Sequence, residues 1–127
     1  MSYCASGDKP YLASGSDDFT IKIWDYQTKN CLATLEGHQD NISSVQFHPE
    51  LPIIISTSED NSVKIWNAMS FKLETTLEYN MERAWCCDAL KETSIVALGY
   101  DEGTVVLKIG SDFPLADFSY EFLPYST

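Results

Sequence analysis

An imidazole, a hydroxyl and a carboxylate are the working parts of a nucleophilic hydrolase, and His38, Ser56 and Asp60 supply one of each. The same three groups suit a second task. A buried polar atom without a partner costs about 1–3 kcal/mol, so a tight turn at the edge of a sheet must close its hydrogen bonds. Ser56 lies in Ile54-Ile55-Ser56-Thr57-Ser58, which carries neither the glycines of a nucleophile elbow nor an accompanying oxyanion nest. The trio therefore reads as structural, with hydrolysis through His38 and Ser56 as the alternative. Metal chemistry has less to work with. Cys4 and Cys31 stand alone and Cys86-Cys87 are adjacent, so no C-x-x-C pair is available to hold zinc or cycle a disulfide. No cofactor or metal is expected, and the thiols are expected to be reduced and buried.

The elements that must position these groups follow from a repeat. Leu12-Ala13-Ser14-Gly15-Ser16-Asp17-Asp18 through Trp24 aligns with Ile54-Ile55-Ser56-Thr57-Ser58-Glu59-Asp60 through Trp66 at an offset of 42 residues. The same shift carries Glu59 to Ile65 onto Asp101 to Leu107, a weaker third copy in which Lys108 stands where Trp66 stood. Apolar residues alternate in Thr20-Ile21-Lys22-Ile23-Trp24, in Ile42 to Phe47 and in Ser62-Val63-Lys64-Ile65-Trp66, the period of half-buried strands. Turn-forming clusters separate them. Each copy thus reads as four short antiparallel strands, placed in the middle copy at about 42–47, 52–58, 62–66 and 72–77. No run is long and 3.6-periodic enough for a core helix.

Composition limits the partners. The 127 residues are 44% apolar and 21% charged, enough to build a core and too apolar for a disordered tail. Eight Lys and Arg against nineteen Asp and Glu give a net charge of −11, which repels phosphate backbones and welcomes basic peptides. Nucleic acid is not an expected partner. The longest aliphatic run, Ile53-Ile54-Ile55, falls far short of the roughly 20 residues of a membrane helix, and no signal pattern follows Met1. A cytoplasmic protein is expected.

Gly37-His38 before a first strand, Trp24-Asp25 ending a third strand and the 42-residue spacing resemble the WD-repeat beta-propeller family. The expected fold is all-β: a partial propeller of about two and a half four-stranded blades in an open array. Its units would span about 1–36, 37–78 and 79–110, followed by a non-family tail, 111–127, expected to be poorly ordered. The resemblance implies that His38, Ser56, Asp60 and Trp66 form a buried tetrad pinning one blade, and that Ser14, Asp18 and Trp24 form a partial one. At the same positions the third copy offers Asn80, Leu98, Glu102 and Lys108. Apolar packing by Leu12, Ile21, Ile23, Val96, Leu98, Val105 and Leu107 is expected to hold the blades that lack the full tetrad.

Wording that the repeat itself does not require, such as His48-Pro49-Glu50-Leu51-Pro52, Met81-Glu82-Arg83 and Ala97-Leu98-Gly99-Tyr100-Asp101-Glu102-Gly103, resembles the amino-terminal propeller of coatomer beta-prime subunits, of the COPI vesicle coat. That resemblance implies a non-enzymatic coat component in traffic between Golgi and endoplasmic reticulum, peripheral on Golgi membranes and COPI-coated vesicles. Its implied partners are other coatomer subunits and lysine-bearing cytosolic tails of cargo membrane proteins. Asp17, Glu59 and Asp101 each precede the turn acid of their copy and would line one rim, where carboxylates can pair with ammonium groups. Arg83, and Asn41, on that rim would orient a tail or take its carboxylate. The same acids also suit ordinary solvated turns. A generic WD-repeat scaffold, or a shortened non-functional paralogue, is the alternative reading.

Overall fold

The computed structural model describes residues 2–3, 11–48, 52–78, 83–89, 95–109 and 118–124. Among the described residues, twelve strands make three four-stranded antiparallel sheets and there is no helix. The first sheet runs β1 (Ser2–Tyr3), β2 (Tyr11–Gly15), β3 (Ile21–Asp25) and β4 (Cys31–Leu35). The second runs β5 (Ile42–Phe47), β6 (Ile53–Ser58), β7 (Ser62–Asn67) and β8 (Leu73–Glu78). The third runs β9 (Ala84–Ala89), β10 (Ile95–Tyr100), β11 (Gly103–Ile109) and β12 (Phe118–Pro124). The expected all-β open array of blades is what the chain forms, and the middle-copy strands lie within one or two residues of their expected bounds. One expectation fails. Residues 118–124, taken as part of a poorly ordered tail, pair with β11 from Ile109↔Phe118 to Gly103↔Pro124 and complete the third blade. Phe118 to Leu123 contains no proline, so every position of that stretch can enter the ladder.

The core lies between the sheets in two apolar layers. Ala13, Ile21, Ile23 and Leu35 of the first sheet meet Val45, Phe47, Ile54 and Trp66 of the second. On the other face of the second sheet, Ile53, Ile55, Val63 and Ile65 meet Ala84, Val96, Leu98, Tyr100, Val105 and Leu107 of the third. The middle blade is therefore covered on both faces, and every residue of β6 and β7 is buried. Ala13 takes the core position expected of Leu12, which is only half-buried on the opposite face. Polar links reinforce the second layer: Ser43 donates to the Ala84 carbonyl, and Ser44 Oγ lies 3.4 Å from Cys87 Sγ. Cys4 lies outside the described residues, and two of the three described thiols are less buried than expected. Cys31 and Cys86 are exposed, while burial pushes the Cys87 thiol up to about 11.

Turn backbone repeats as faithfully as side-chain type. Phe19 (φ 72°) and Asn61 (φ 75°) hold the same left-handed turn position, 42 residues apart, as do Lys29 (62°) and Phe71 (59°). Asn tolerates this conformation, whereas a bulky aromatic is strained in it. Phe19 is 41% exposed, so replacing it gives up little packing. Phe19→Asn should stabilise the fold by up to about 1 kcal/mol, read as a rise of a few degrees in Tm. A fall in Tm would mean that the ring makes contacts worth more than the strain.

The third blade departs from the other two in register. Gly15 pairs with Ile21 and Thr57 with Val63, but Gly99 pairs with Thr104, so the β10–β11 turn is one residue shorter. A one-residue slip moves every side chain of a strand to the opposite face. Trp24 pairs with Leu12 and Trp66 with Ile54, whereas Val96 pairs with Leu107. Leu107, not Lys108, therefore occupies the tryptophan position, and Lys108, opposite Ile95, is the counterpart of Asn67.

Candidate functional site

The turn between β6 and β7 is built on Asp60. Its Oδ1 accepts from the Ser62 amide (2.8 Å) and hydroxyl (2.6 Å), and Oδ2 accepts from the Gln39 amide (2.8 Å) and His38 Nδ1 (3.1 Å). With its Nδ1 proton committed there, His38 Nε2 accepts from Ser56 Oγ (2.7 Å), which itself accepts from Trp66 Nε1 (2.9 Å). The four residues expected to form a tetrad are thus joined end to end, from the β4–β5 loop to β6, β7 and the turn between them. Burial raises the Asp60 pKa, but the Ser62, Gln39 and His38 hydrogen bonds outweigh it and lower the carboxyl to about 2. Burial lowers the His38 pKa against the pull of Asp60, so the imidazole is neutral at neutral pH.

Geometrically this is also a Ser–His–Asp array. Ser56 is nevertheless fully buried, and its oxygen already holds the indole N–H, so its lone pairs do not face a space a substrate could enter. Gly37 shapes the approach to this chain. A Cβ there would lie 3.4 Å from Lys64 Cε and 3.6 Å from the Trp66 ring, at a φ of 154° that side chains rarely adopt.

The first blade repeats the network without its histidine. Trp24 Nε1 donates to Ser14 Oγ (3.0 Å), and Asp18 Oδ1 accepts from the Thr20 amide (3.0 Å) and hydroxyl (2.6 Å). The Thr20 hydroxyl and then its amide hold the Asp18 carboxyl below its ordinary value. Thr20 and Ser62 close these turns as essentially as the acids do, and were legible as a hydroxyl two residues after the acid in both copies. In the third blade Leu98 and Leu107, both fully buried, replace serine and tryptophan; Asn80 falls outside the described residues.

The rim residues lie at one end of the blades. The Glu59 amide donates to the Asn41 carbonyl (3.0 Å) and the Asp101 amide to that of Arg83 (3.1 Å), the same link one repeat apart. Arg83 gathers two of the three acids: Nη1 lies 3.6 Å from Glu59 Oε1 and Nε lies 3.5 Å from Asp101 Oδ2. Its guanidinium stands 5.2 Å from the Trp85 ring centroid, and Trp85 Nε1 donates to Asp101 Oδ1. The Trp85 hydrogen bond, followed by that from the Arg83 amide, lowers the Asp101 pKa. Arg83, expected only to orient a ligand or take its carboxylate, instead neutralises the rim from within. Trp85 was not singled out in the sequence, where it lacks a counterpart in the other copies. Asp17 stands exposed on the first blade, apart from this cluster. Among the described residues no group of three or more potential ligands could hold a metal, and no helix is long and apolar enough to cross a membrane.

Comparison with known proteins gives this geometry a context. Residues 1–25 and 29–67 match the model of the WD domain, G-beta repeat. Coatomer subunit beta'-1 of Arabidopsis thaliana is 54% identical over 116 residues, covering 91% of this chain and 13% of that protein. Probable coatomer subunit beta' of Schizosaccharomyces pombe is 46% identical over 114 residues (90% and 14%), and coatomer subunit beta' of Homo sapiens 55% over 114 (90% and 13%). The chain thus spans about one seventh or less of these relatives' length. The crystal structure of RRP9 WD40 repeats superposes on 98% of this chain and 36% of its own, with a TM-score of 0.83 at 29% identity.

Proposed function

Because this chain belongs to the WD40 family of WD domain, G-beta repeats, and is a coatomer beta'-like module of it, we propose that it acts by binding protein, as a non-enzymatic coat component. Its partners are other coatomer subunits and lysine-bearing cytosolic tails of cargo membrane proteins, in transport between Golgi and endoplasmic reticulum. It works in the cytoplasm, peripheral on Golgi membranes. The observation that carries the cargo reading is the acid before each turn aspartate or its counterpart: Asp17, Glu59 and Asp101 recur at one end of successive blades on a chain of net charge −11. A compact ammonium group needs several oxygen acceptors, and such a rim offers them.

Glu59 and Asp101 already share Arg83, so Asp17 is the carboxylate most open to an incoming lysine. A synthetic tail with two lysines near its carboxyl end should bind, and more weakly as salt rises. Asp17→Ala should weaken it by up to about fivefold, the worth of one exposed ion pair. Calorimetric titration at two ionic strengths checks both. Refusal of such tails by the folded protein would leave a WD-repeat scaffold without cargo recognition, the reading favoured by the internal neutralisation of Glu59 and Asp101.

A further inference from the structure

The rim at the junction of the second and third blades already holds a cation, and the cation is the chain's own. Arg83 lies 3.6 Å from Glu59 of the second blade and 3.5 Å from Asp101 of the third, with its guanidinium 5.2 Å from the Trp85 ring centroid. Two carboxylates and an aromatic face make a seat that suits organic cations in general. Each wall of that seat is anchored without the guanidinium. The Asp101 carboxylate accepts from Trp85 Nε1 through Oδ1 and from the Arg83 amide through Oδ2 (3.1 Å), and the Asp101 amide donates back to the Arg83 carbonyl (3.1 Å). Those hydrogen bonds to the carboxylate, that of Trp85 foremost, also keep it ionised at neutral pH. The Glu59 amide donates to the Asn41 carbonyl (3.0 Å). The Arg83 side chain, by contrast, is 54% exposed and meets both acids at ion-pair rather than hydrogen-bond range. Both acids belong to blades that pack on each other within the chain, so the seat is complete in it.

We infer that Arg83 is a resident competitor that closes this junction to outside cations, and that without its guanidinium Glu59, Asp101 and Trp85 accept an alkylammonium group. The inference rests on the reading of the rim as a surface that receives lysine, and adds which residue decides how many seats the rim offers. A tethered guanidinium competes at an effective concentration on the order of mM or more. An exposed ion pair changes affinity by no more than about fivefold, so a lysine from solution does not displace it. The rim therefore offers lysine the Asp17 side of the first blade and not the second–third junction. Trp85 serves both ends of the arrangement: its indole N–H fixes Asp101 and its ring faces the cation.

Titration of the chain with butylammonium chloride, against sodium chloride at equal ionic strength, tests this through the Trp85 indole N–H resonance. In the wild type the resonance should stay in place. In Arg83→Ala it should shift saturably, with an affinity about fivefold or more above that of the wild type, and adding Glu59→Gln should remove most of the gain. Arg83→Lys, which keeps a tethered charge, should refuse butylammonium as the wild type does. The main-chain hydrogen bonds of residue 83 survive truncation, so the melt of Arg83→Ala should stay within a few degrees of wild type. Arg83→Met, which keeps an aliphatic stem beside the ring, is a second neutral variant and should show a smaller gain of the same sign. Equal shifts in wild type and Arg83→Ala, or no shift in either neutral variant, would overturn the inference. A tail with two lysines separates it from the cargo reading. If butylammonium enters Arg83→Ala while neither protein binds the tail, the seat stands and cargo recognition falls. If the wild type binds the tail and the neutral variants take no butylammonium, cargo recognition stands and the seat falls.

Discussion

Asp60→Ala should destabilise the chain by about 3 kcal/mol or more, because a buried donor left without its acceptor costs about 1–3 kcal/mol and several are orphaned together. Four donors lose their partner at once: the His38 ring, the Gln39 amide, and the amide and hydroxyl of Ser62. The loss also spreads. Without Asp60 nothing fixes the His38 tautomer, so the Ser56 hydroxyl and through it the Trp66 indole lose their ordered acceptor chain. Asp18→Ala in the first blade should cost a fraction of that, because Asp18 serves only the exposed Ser16–Thr20 turn and reaches no histidine. Urea unfolding midpoints at constant m-value give the comparison. Equal costs for the two acids would show that the histidine chain adds nothing to a turn, and the structural account of the tetrad would fall with it.

The same network sets the acid sensitivity of the fold. His38 has a lowered folded pKa, so the unfolded chain binds the proton more readily, and the stability from burying a neutral ring is complete above about pH 6.5 and erodes as pH falls below it. Asp60 follows lower down. Its carboxyl stands at about 2 against an ordinary 3.8, so its contribution is complete above pH 4 and is lost as pH falls toward 2. Unfolding free energy should therefore drop in two stages on acidification. His38→Gln should remove the upper stage, and Asp60→Asn should shrink the lower, to which the lowered Asp18 and Asp101 carboxyls also contribute.

Much of this was legible in the sequence because period-2 alternation and a fixed offset are redundant signals. Seven positions from Leu12 to Asp18 repeat at Ile54 to Asp60 with their chemistry kept, which placed the strands, the turn and the tetrad together. What escaped lacked such redundancy. The final strand, Phe118–Pro124, takes the place that β4 and β8 hold in the other blades but shares no sequence pattern with them, and its pairing with β11 depends on a ladder that no local pattern announces. Arg83 was read as a ligand contact because sequence spacing cannot tell an arginine facing solvent from one held by Glu59, Asp101 and the Trp85 ring. The register of the third blade escaped for a sharper reason. With tryptophan gone, Asp101-Glu102-Gly103-Thr104 matched Glu59-Asp60-Asn61-Ser62 residue for residue, and nothing in the letters marks the shorter turn.

That register carries the largest single-residue effect expected. Leu98 and Ser56 hold the same strand position in adjacent blades, both fully exposed to the core and neither to solvent. In the second blade the hydroxyl is required, since it joins Trp66 to His38. In the third its neighbours are Val96, Val105 and Leu107, which offer it nothing to bind. Leu98→Ser should therefore combine the loss of a buried leucine, about 2–5 kcal/mol, with an unpartnered hydroxyl, about 1–3 kcal/mol, and leave the third blade near its limit of stability. A second substitution separates the two possible registers. If Leu107 holds the tryptophan position, Leu107→Trp added to Leu98→Ser places an indole N–H against the new hydroxyl, as Trp24 meets Ser14, and should recover about 1–2 kcal/mol. Lys108→Trp in the same background should recover nothing, because its pairing with Ile95 sends it to the other face of the sheet. Thermal melts of the three variants decide it. Recovery with Lys108→Trp instead would restore the uniform 42-residue spacing and remove the shortened turn on which the third blade's leucine core depends.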